Sequence, residues 1–473
     1  MRHLVLGLLV VVAFMAMARA AVAQVPAQSR PIDVFDRSLF YEQDIRARME
    51  ANALPKQSTM FQYGGFFFPS YLQTTDSDGG TIHVARQDLR LWGQLDIDDI
   101  HKVFARMKLS GTEFADGDAG PLGRQRDFDG ADLDVGYYEL NLSRAMQKYA
   151  GETWPADVRI RGGRQFITVG RGLVIGDTYD AGSFDFGTKD FFFTGFAGAT
   201  PAGRQAIDYS EPNYPHAHQH VFGLEADYKG IPGHTPYYFM VFQNGGPDLD
   251  GVNVNQDYVY HSNYHGIGLK GSLAPDWKYA VENVWEFGRD SPNAVKGETD
   301  RIDASAFDAE VDYFMHAPCQ PVANVEYAYA SGDGDRQSAM TALGGNKAHT
   351  SDEAFQSFSY VNSGLALAAR FTNLQFVRLG TRFTPYDHKE CLGRIDMGFN
   401  HYFLFKACSD GPIDDFRANR DASTIGQETD VFLEWKILSD LALTVNYGHF
   451  WPGAAYSSPH QRNFLFGGLT ISF

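Results

Sequence analysis

Apolar and polar residues alternate with a period of two along most of the chain. In "DLRLWGQLDID", Leu89, Leu91, Leu95 and Ile97 alternate with Asp88, Arg90, Gln94 and Asp96. In "KVFARMKLS", Val103, Ala105, Met107 and Leu109 alternate with Arg106, Lys108 and Ser110. The stretches "FGLEADY", "AFDAEVDY", "NVEYAY", "RIDMGFN" and "TDVFLEWKI" repeat the pattern, with Asp308, Glu310 and Asp312 set against Phe307, Ala309, Val311 and Tyr313. Successive side chains of a strand point to opposite faces, so each segment predicts a strand with one apolar and one charged face. "GLTISF" carries the pattern to the last residue: Leu469, Ile471 and Phe473 share one face, Thr470 and Ser472 the other. An exposed apolar edge strand is an aggregation hazard that soluble proteins blunt with charge or proline, and neither follows Arg462.

The connections arrange these strands. Reading back from Phe473, short links ("ILSD", "PYDHKEC", "APCQP", "LAPDW", "KGIPGH") alternate with long ones at 451–462, 407–424, 331–373, 289–301 and 245–262. An antiparallel sandwich with one solvated face shares the alternation. Short turns at one end and long loops at the other are the mark of an outer-membrane barrel. The expected fold is an all-β transmembrane antiparallel β-barrel of sixteen to eighteen strands, eighteen preferred, with short periplasmic turns and long extracellular loops. The last strand then closes against the first and leaves no edge. The count is firm from about residue 219 onward and loose between 170 and 218, and so many strands enclose a water-filled interior. Parity requires 331–373 to be one long external loop, as its Gly, Asp, Ser and Asn content permits, and its folding inward as a plug is left open.

The first residues follow a different grammar. Arg2 and His3 precede an apolar run from Leu4 to Ala18, and Ala21-Val22-Ala23 forms a small-residue cleavage site, so 1–23 reads as a secretory signal peptide. In 24–58, Leu39, Ile45 and Met49 have helical spacing after a capping Asp36, which predicts a short periplasmic helix or arm. Residues 59–473 form the barrel, and no second domain is indicated.

Composition sharpens this picture. Beyond Gln24 there is no run of eighteen apolar residues, which excludes a helical membrane protein. Aromatic residues make up 14% of the chain, with 37 Phe and 24 Tyr beside 48 Gly, as suits strands, tight turns and aromatic girdles at a lipid surface. The formal charge of -18 becomes -20 when the signal peptide is removed with Arg2 and Arg19. Cys319, Cys391 and Cys408 are odd in number and lack metal or redox spacing. A predicted strand separates Cys391 from Cys408 by about 45 Å, at about 3.3 Å per residue, beyond disulfide reach.

Several stretches resemble the alginate export family. "IGQETDVFLEWKILSDLALTVNYGHFWPG" from Ile425 to Gly453 is similar to a family strand with Gly-x-Glu-x-Asp, a tight turn and a strand ending Tyr-Gly-x-Phe-x-Pro-Gly. "RIRGGRQFITVGRGLVIGD" from Arg159 to Asp177 resembles its arginine-rich segment, and "YAYASGDGD" and "NLQFVRLGTRFTP" its later strands. The resemblance covers about residues 85 to 473. It implies an eighteen-stranded outer-membrane barrel for passive passage of an anionic polysaccharide such as alginate through an arginine-lined pore. It also implies that Leu469, Ile471 and Phe473 form the signal read by the barrel-assembly machinery, and that periplasmic export proteins are further partners. A general or substrate-selective porin for small solutes, and a structural barrel with a plugged lumen, are the alternatives.

Inward parity collects Arg86, Arg90, Arg106, Lys108, Arg159 and Arg161 on early strands and Arg378, Arg382 and Arg394 on later ones. The planar fork of arginine makes two parallel bonds to a carboxylate, so these are the candidate substrate contacts. Arg164 has outward parity unless Gly162-Gly163 forms a bulge. Inward parity also collects Glu225, Asp227, Asp308, Glu310, Asp312, Glu326, Glu428, Asp430 and Glu434. The expectation is a lumen of both signs, whose charges either pair across strands or form a selective anion path. Glu428 and Asp430, kept with the candidate substrate contacts as Arg164 is, share one strand face and are read as an inner-wall ion pair with a nearby arginine rather than an acid–base pair. His216, His218 and His220 would share a strand face, and "GDGD" at 332–335 has the composition of a calcium loop but not its length. No serine has nucleophile spacing; neither enzyme activity, a metal, a cofactor nor a nucleic-acid partner is expected.

Overall fold

The computed structural model describes residues 59–75, 79–115, 126–201, 218–246, 260–290, 299–336, 346–388, 393–415, 417–458 and 460–473. The signal-peptide and arm expectations for 1–58 lie outside them, as do His216 and Cys391. The described chain forms one eighteen-stranded antiparallel sheet. Its strands are β1 (Thr59–Thr75), β2 (Thr81–Ile97), β3 (His101–Phe114), β4 (Arg126–Asn141), β5 (Asp157–Thr168), β6 (Gly176–Gly187), β7 (Phe191–Ala199), β8 (His218–Tyr228) and β9 (His234–Gly246). They continue as β10 (Tyr260–Ala274), β11 (Trp277–Asp290), β12 (Asp300–Phe314), β13 (Val322–Ala330), β14 (Leu374–His388), β15 (Gly393–Lys406), β16 (Thr424–Lys436), β17 (Leu441–Pro452) and β18 (Arg462–Ser472). Each strand pairs with its successor, and β1 pairs with both β2 and β18, so the sheet closes.

Closure answers the problem of the apolar terminal strand. Phe473 exchanges backbone bonds with Gly65 at 2.9 and 3.0 Å. Its side chain is 67% exposed on the outer face. The ring occupies the space beside Gly65, where a Cβ would come within 2.9 Å of it, so this glycine makes room for the aromatic that seals the seam.

The two faces follow the alternation. Leu91, Val103, Tyr138, Ile160, Phe184, Phe222, Trp285, Leu379, Phe399 and Val431 are exposed on the outer wall. Their neighbours Arg90, Arg106, Glu282, Glu286, Asp308, Arg378, Glu428 and Asp430 are buried inside. One helical element was not anticipated. "NLSRAMQKYA" between β4 and β5 forms a short helix α1 (Leu142–Ala145) that runs into a π-helical turn at Met146–Ala150. The Asn141 side chain accepts from the Arg144 N–H, as an N-cap residue does.

The hydrophobic core lies inside the barrel. Val169, Leu173, Val174 and Ile175, from the loop joining β5 to β6, pack with Phe355, Phe358, Leu365, Leu367 and Phe371, from the loop joining β13 to β14. Around them stand Tyr237, Phe239, Tyr264, Phe376, Tyr402 and Phe450 of the inner wall. The described part of the long loop from 346 onward therefore folds into the lumen, the inward arrangement that the sequence left open beside an external loop.

Candidate functional site

Both inward loops are held by carboxylates of the inner wall. Gly170 N–H donates to Glu225 at 2.8 Å and Arg171 N–H to Glu282 at 2.7 Å, while the Tyr237 hydroxyl donates to the same Glu282 oxygen at 2.7 Å. The Arg171 side chain reaches across to Asp308 and Glu310, 2.5 Å from each. Burial opposes its charge, but Asp308 and Glu310 more than offset that, and its pKa is raised well above the ordinary value. Only glycine fits at 170: φ is +54° and a Cβ would lie 2.0 Å from Glu282.

The second loop is held in the same way. Gln356 N–H donates to Glu286 at 2.9 Å, and the Tyr264 hydroxyl lies 2.8 Å from both Glu286 and the Gln356 carbonyl. Leu365, Ala366 and Leu367 present consecutive N–H groups to Asp430 at 3.2 Å and to the two oxygens of Glu428 at 2.5 and 2.9 Å. Gly364, at φ +112°, lets the backbone approach, since a Cβ there would meet the Glu428 carboxyl at 2.5 Å. The expected ion pair of Glu428 and Asp430 with an arginine is corrected: these acids hold loop backbone. The two loops also bond each other. Phe358 N–H donates to Val174 carbonyl at 2.9 Å, and the Ser357 hydroxyl donates to Leu173 carbonyl at 2.6 Å.

The remaining inward acids have partners too. Asp227 lies 3.3 Å from Lys270, Asp312 accepts from Asn324 at 2.7 Å, Glu326 lies 2.6 Å from Arg378 and Glu434 3.4 Å from Lys436. The wall from β8 to β16 is acidic in sequence and largely compensated in structure.

The basic residues fall into three groups. Arg90, Arg106 and Arg378 are buried in ion pairs: Arg90 and Arg106 lie 3.4 and 2.7 Å from Asp134, and Arg378 joins Glu310 at 3.1 Å and Glu326. Asp134 reaches this position through a register shift between β3 and β4. A second group keeps lumen exposure while bonding to acids of the wall. Arg86 pairs with Asp88 at 2.9 Å, Arg159 with Asp157 at 2.6 Å, Arg394 with Asp396 at 2.8 Å, and Arg161 with Glu139. Arg161 also lies 4.5 Å above the Tyr137 ring. Lys108 stands opposite Arg90 and Asp132, and the half-buried Arg382 makes no ion pair among the described residues. The third case is Arg164. Gly163 has φ +131°, but the pairing with β4 and β6 stays in register, so Arg164 keeps outward parity opposite Asp180, at 2.7 Å.

Arg171, Glu282 and Glu286 are the residues sequence reasoning missed. Arg171 was visible in "GRGLVIGD", where two glycines flank a lone cation. The apolar run "GLALAARF" in the long loop was a second signal, since a solvated loop has no use for it. In "GDGD", Asp333 accepts N–H bonds from Asp335 and Glu353 at 2.9 and 3.2 Å, which ties the loop to itself. No metal-binding group of three or more His, Cys, Asp or Glu occurs among the described residues.

The family model for alginate export matches residues 73–466. The chain belongs to the alginate export family. Solved structures share the barrel of this family member. Acinetobacter baumannii OccAB2 is 11% identical with a TM-score of 0.54, covering 88% of this chain and 100% of that one. Pseudomonas aeruginosa OpdK, crystallised with vanillate, is 12% identical with a TM-score of 0.53, covering 87% and 99%. Pseudomonas aeruginosa OccK5 (OpdH) is 12% identical with a TM-score of 0.52, covering 87% and 98%. These likenesses bear on the fold. No curated protein sequence matches the chain. Family and fold together make it an outer-membrane channel.

Proposed function

We propose that this channel passes acidic saccharides, with uronate oligomers as the substrate class, by passive diffusion along arginine side chains of the inner wall. The carrying observation is the state of Arg161. Its Nε and Nη2 edge is taken by Glu139, which leaves Nη1 donors on a partly exposed, ring-supported guanidinium. A guanidinium has five N–H donors, so one held carboxylate orients the fork without exhausting it. Arg86, Arg159, Arg382 and Arg394 supply further sites, and Lys108 a point charge. The acidic wall opposes this less than its charge suggests, because Arg171 and Arg378 pair with Asp308, Glu310 and Glu326, and the inward loops cover Glu282, Glu286 and Glu428. Family membership supports an anionic polysaccharide, while the loops folded into the lumen favour small carboxylates, the class to which the vanillate in the OpdK crystal belongs.

Planar bilayers under a salt gradient test this reading. An anion-selective current blocked by uronate oligomers is the expected result. Block by monomeric acids but not oligomers selects the small-solute porin. A cation-selective pore indifferent to uronates, or a barrel with no conductance, overturns the proposal.

A further inference from the structure

The outer wall carries a row of basic side chains at one end of the sheet that the lumen does not use. His261 on β10, Arg289 on β11 and Arg301 on β12 stand directly opposite one another in register. The row continues through Asn244 on β9 to His220 on β8, and all five side chains are exposed. Arg289 has the parity of Trp285 and Phe287, which are 44% and 39% exposed on the lipid face. The row lies at the end of the strands that carries the long loops, and the two aromatics lie below it.

This placement is unfavourable on its own. Facing residues of an antiparallel pair have Cβ atoms about 4.5–5.5 Å apart, and like charges there oppose pairing. Arg289 nevertheless faces Arg301. Among the described residues Arg289 has no ion pair, and Arg301 shares only Asp303, 2.7 Å away on its own strand. Two other outward arginines at this end face acids across the sheet: Arg126 lies 2.5 Å from Glu113 and Arg164 2.7 Å from Asp180. In a chain of net charge -18, two facing outer-wall arginines share one acid, Asp303, which stands opposite Phe287, and so leave a positive charge for an external anion. Phe287 and Trp285 beneath it suit an anion that carries apolar chains.

We propose that His261, Arg289 and Arg301 form a binding site for the phosphorylated headgroup of a membrane lipid, with its acyl chains lying on Phe287 and Trp285. The two guanidinium forks take the phosphate oxygens, as arginine does with phosphate in general. Asn244 and His220 extend the site sideways as hydrogen-bond donors.

The test uses the full chain in detergent, titrated in native mass spectrometry with a bis-phosphorylated, acylated disaccharide lipid and with a neutral lipid of equal chain length. The wild type should retain the phosphorylated lipid selectively. The double variant R289Q/R301Q should weaken retention by about 25-fold, at about fivefold per arginine. The gel shift of the folded barrel on heating should be unchanged, and R301Q alone serves if the double variant does not fold. H401Q/H449Q, on another part of the outer wall where both histidines are bonded to neighbours at 2.8 and 2.7 Å, should leave retention unchanged. Equal retention by wild type and arginine variants overturns the proposal. Displacement of the lipid by excess inorganic phosphate also overturns it, because the site would then recognise free phosphate rather than a lipid.

Discussion

The inner walls of β2–β5 and of β8–β16 are both dense in charge, yet they use it differently. On β2–β5 charges pair within the wall: Arg86 with Asp88, Arg106 with Asp134, Arg161 with Glu139, each acid on the same or the adjacent strand. On β8–β16 many carboxylates reach past the wall and engage two loops folded into the lumen. The first arrangement buries Arg106 but leaves the guanidiniums of Arg86 and Arg161 partly exposed to the lumen. The second spends acidic charge on positioning backbone. Net charge therefore says little about what a passing ion meets, because a charge paired with a guanidinium projects a weak field, a carboxylate covered by a loop stands out of the ion's path, and salt screens charges beyond about 8 Å.

The largest effect comes from opening the seam between β1 and β18. Phe473→Asp should abolish the assembled barrel, read as loss of the heat-modifiable form from the outer membrane, whereas a substitution in the exposed tip of a loop should not. Normal levels of assembled variant would show that the Phe473 ring over Gly65 is dispensable.

Next is removal of the inward segment 354–371 with a short flexible bridge. Conductance should rise severalfold and the reversal potential should move toward cations, since Glu286, Glu428 and Asp430 would lose their N–H donors and face water. An unchanged reversal potential would mean that those acids are silent in the wild type for another reason.

A smaller effect is expected from Glu428→Leu, which leaves the Ala366 and Leu367 N–H groups buried without an acceptor. Each such group costs about 1–3 kcal/mol. The long loop should loosen, seen as flickering current and faster proteolysis within 346–373, while assembly is retained. The smallest is Arg159→Ala with Arg161→Ala, which should shift selectivity modestly toward cations and weaken uronate block severalfold. Loss of block without a selectivity change would assign these arginines to ligand contact alone.

Much of the barrel was legible because strand order is local. Alternation such as that of Leu89 to Ile97 needs only its own segment to be seen, and short turns such as "ILSD" follow at once. The loops were not legible in the same way. Glu428 meets Ala366 across 62 positions and Ser357 meets Leu173 across 184, and no local pattern encodes such distances. The parity of Glu428 and Asp430 was right, but their partner was inferred from charge, and backbone N–H groups carry no sequence signature. Gly364 and Gly170 read as ordinary loop glycines; only the approach of a carboxylate explains them. Asn141 before "LSRAMQKYA" was a readable helix start that strand periodicity on either side obscured.

The contact between Ser357 and Leu173 has a consequence for how the molecule comes into being. Contacts so distant along a chain are entropically expensive to form before the intervening segments are ordered. The strands that carry the gripping carboxylates, β8 to β16, must be in place before the two loops have walls to bind. The conduit is thus wide when first made and narrows last. A newly inserted copy would leak before it selects, with the carboxylates that later grip the loops bared, for that interval, opposite the arginines of the wall.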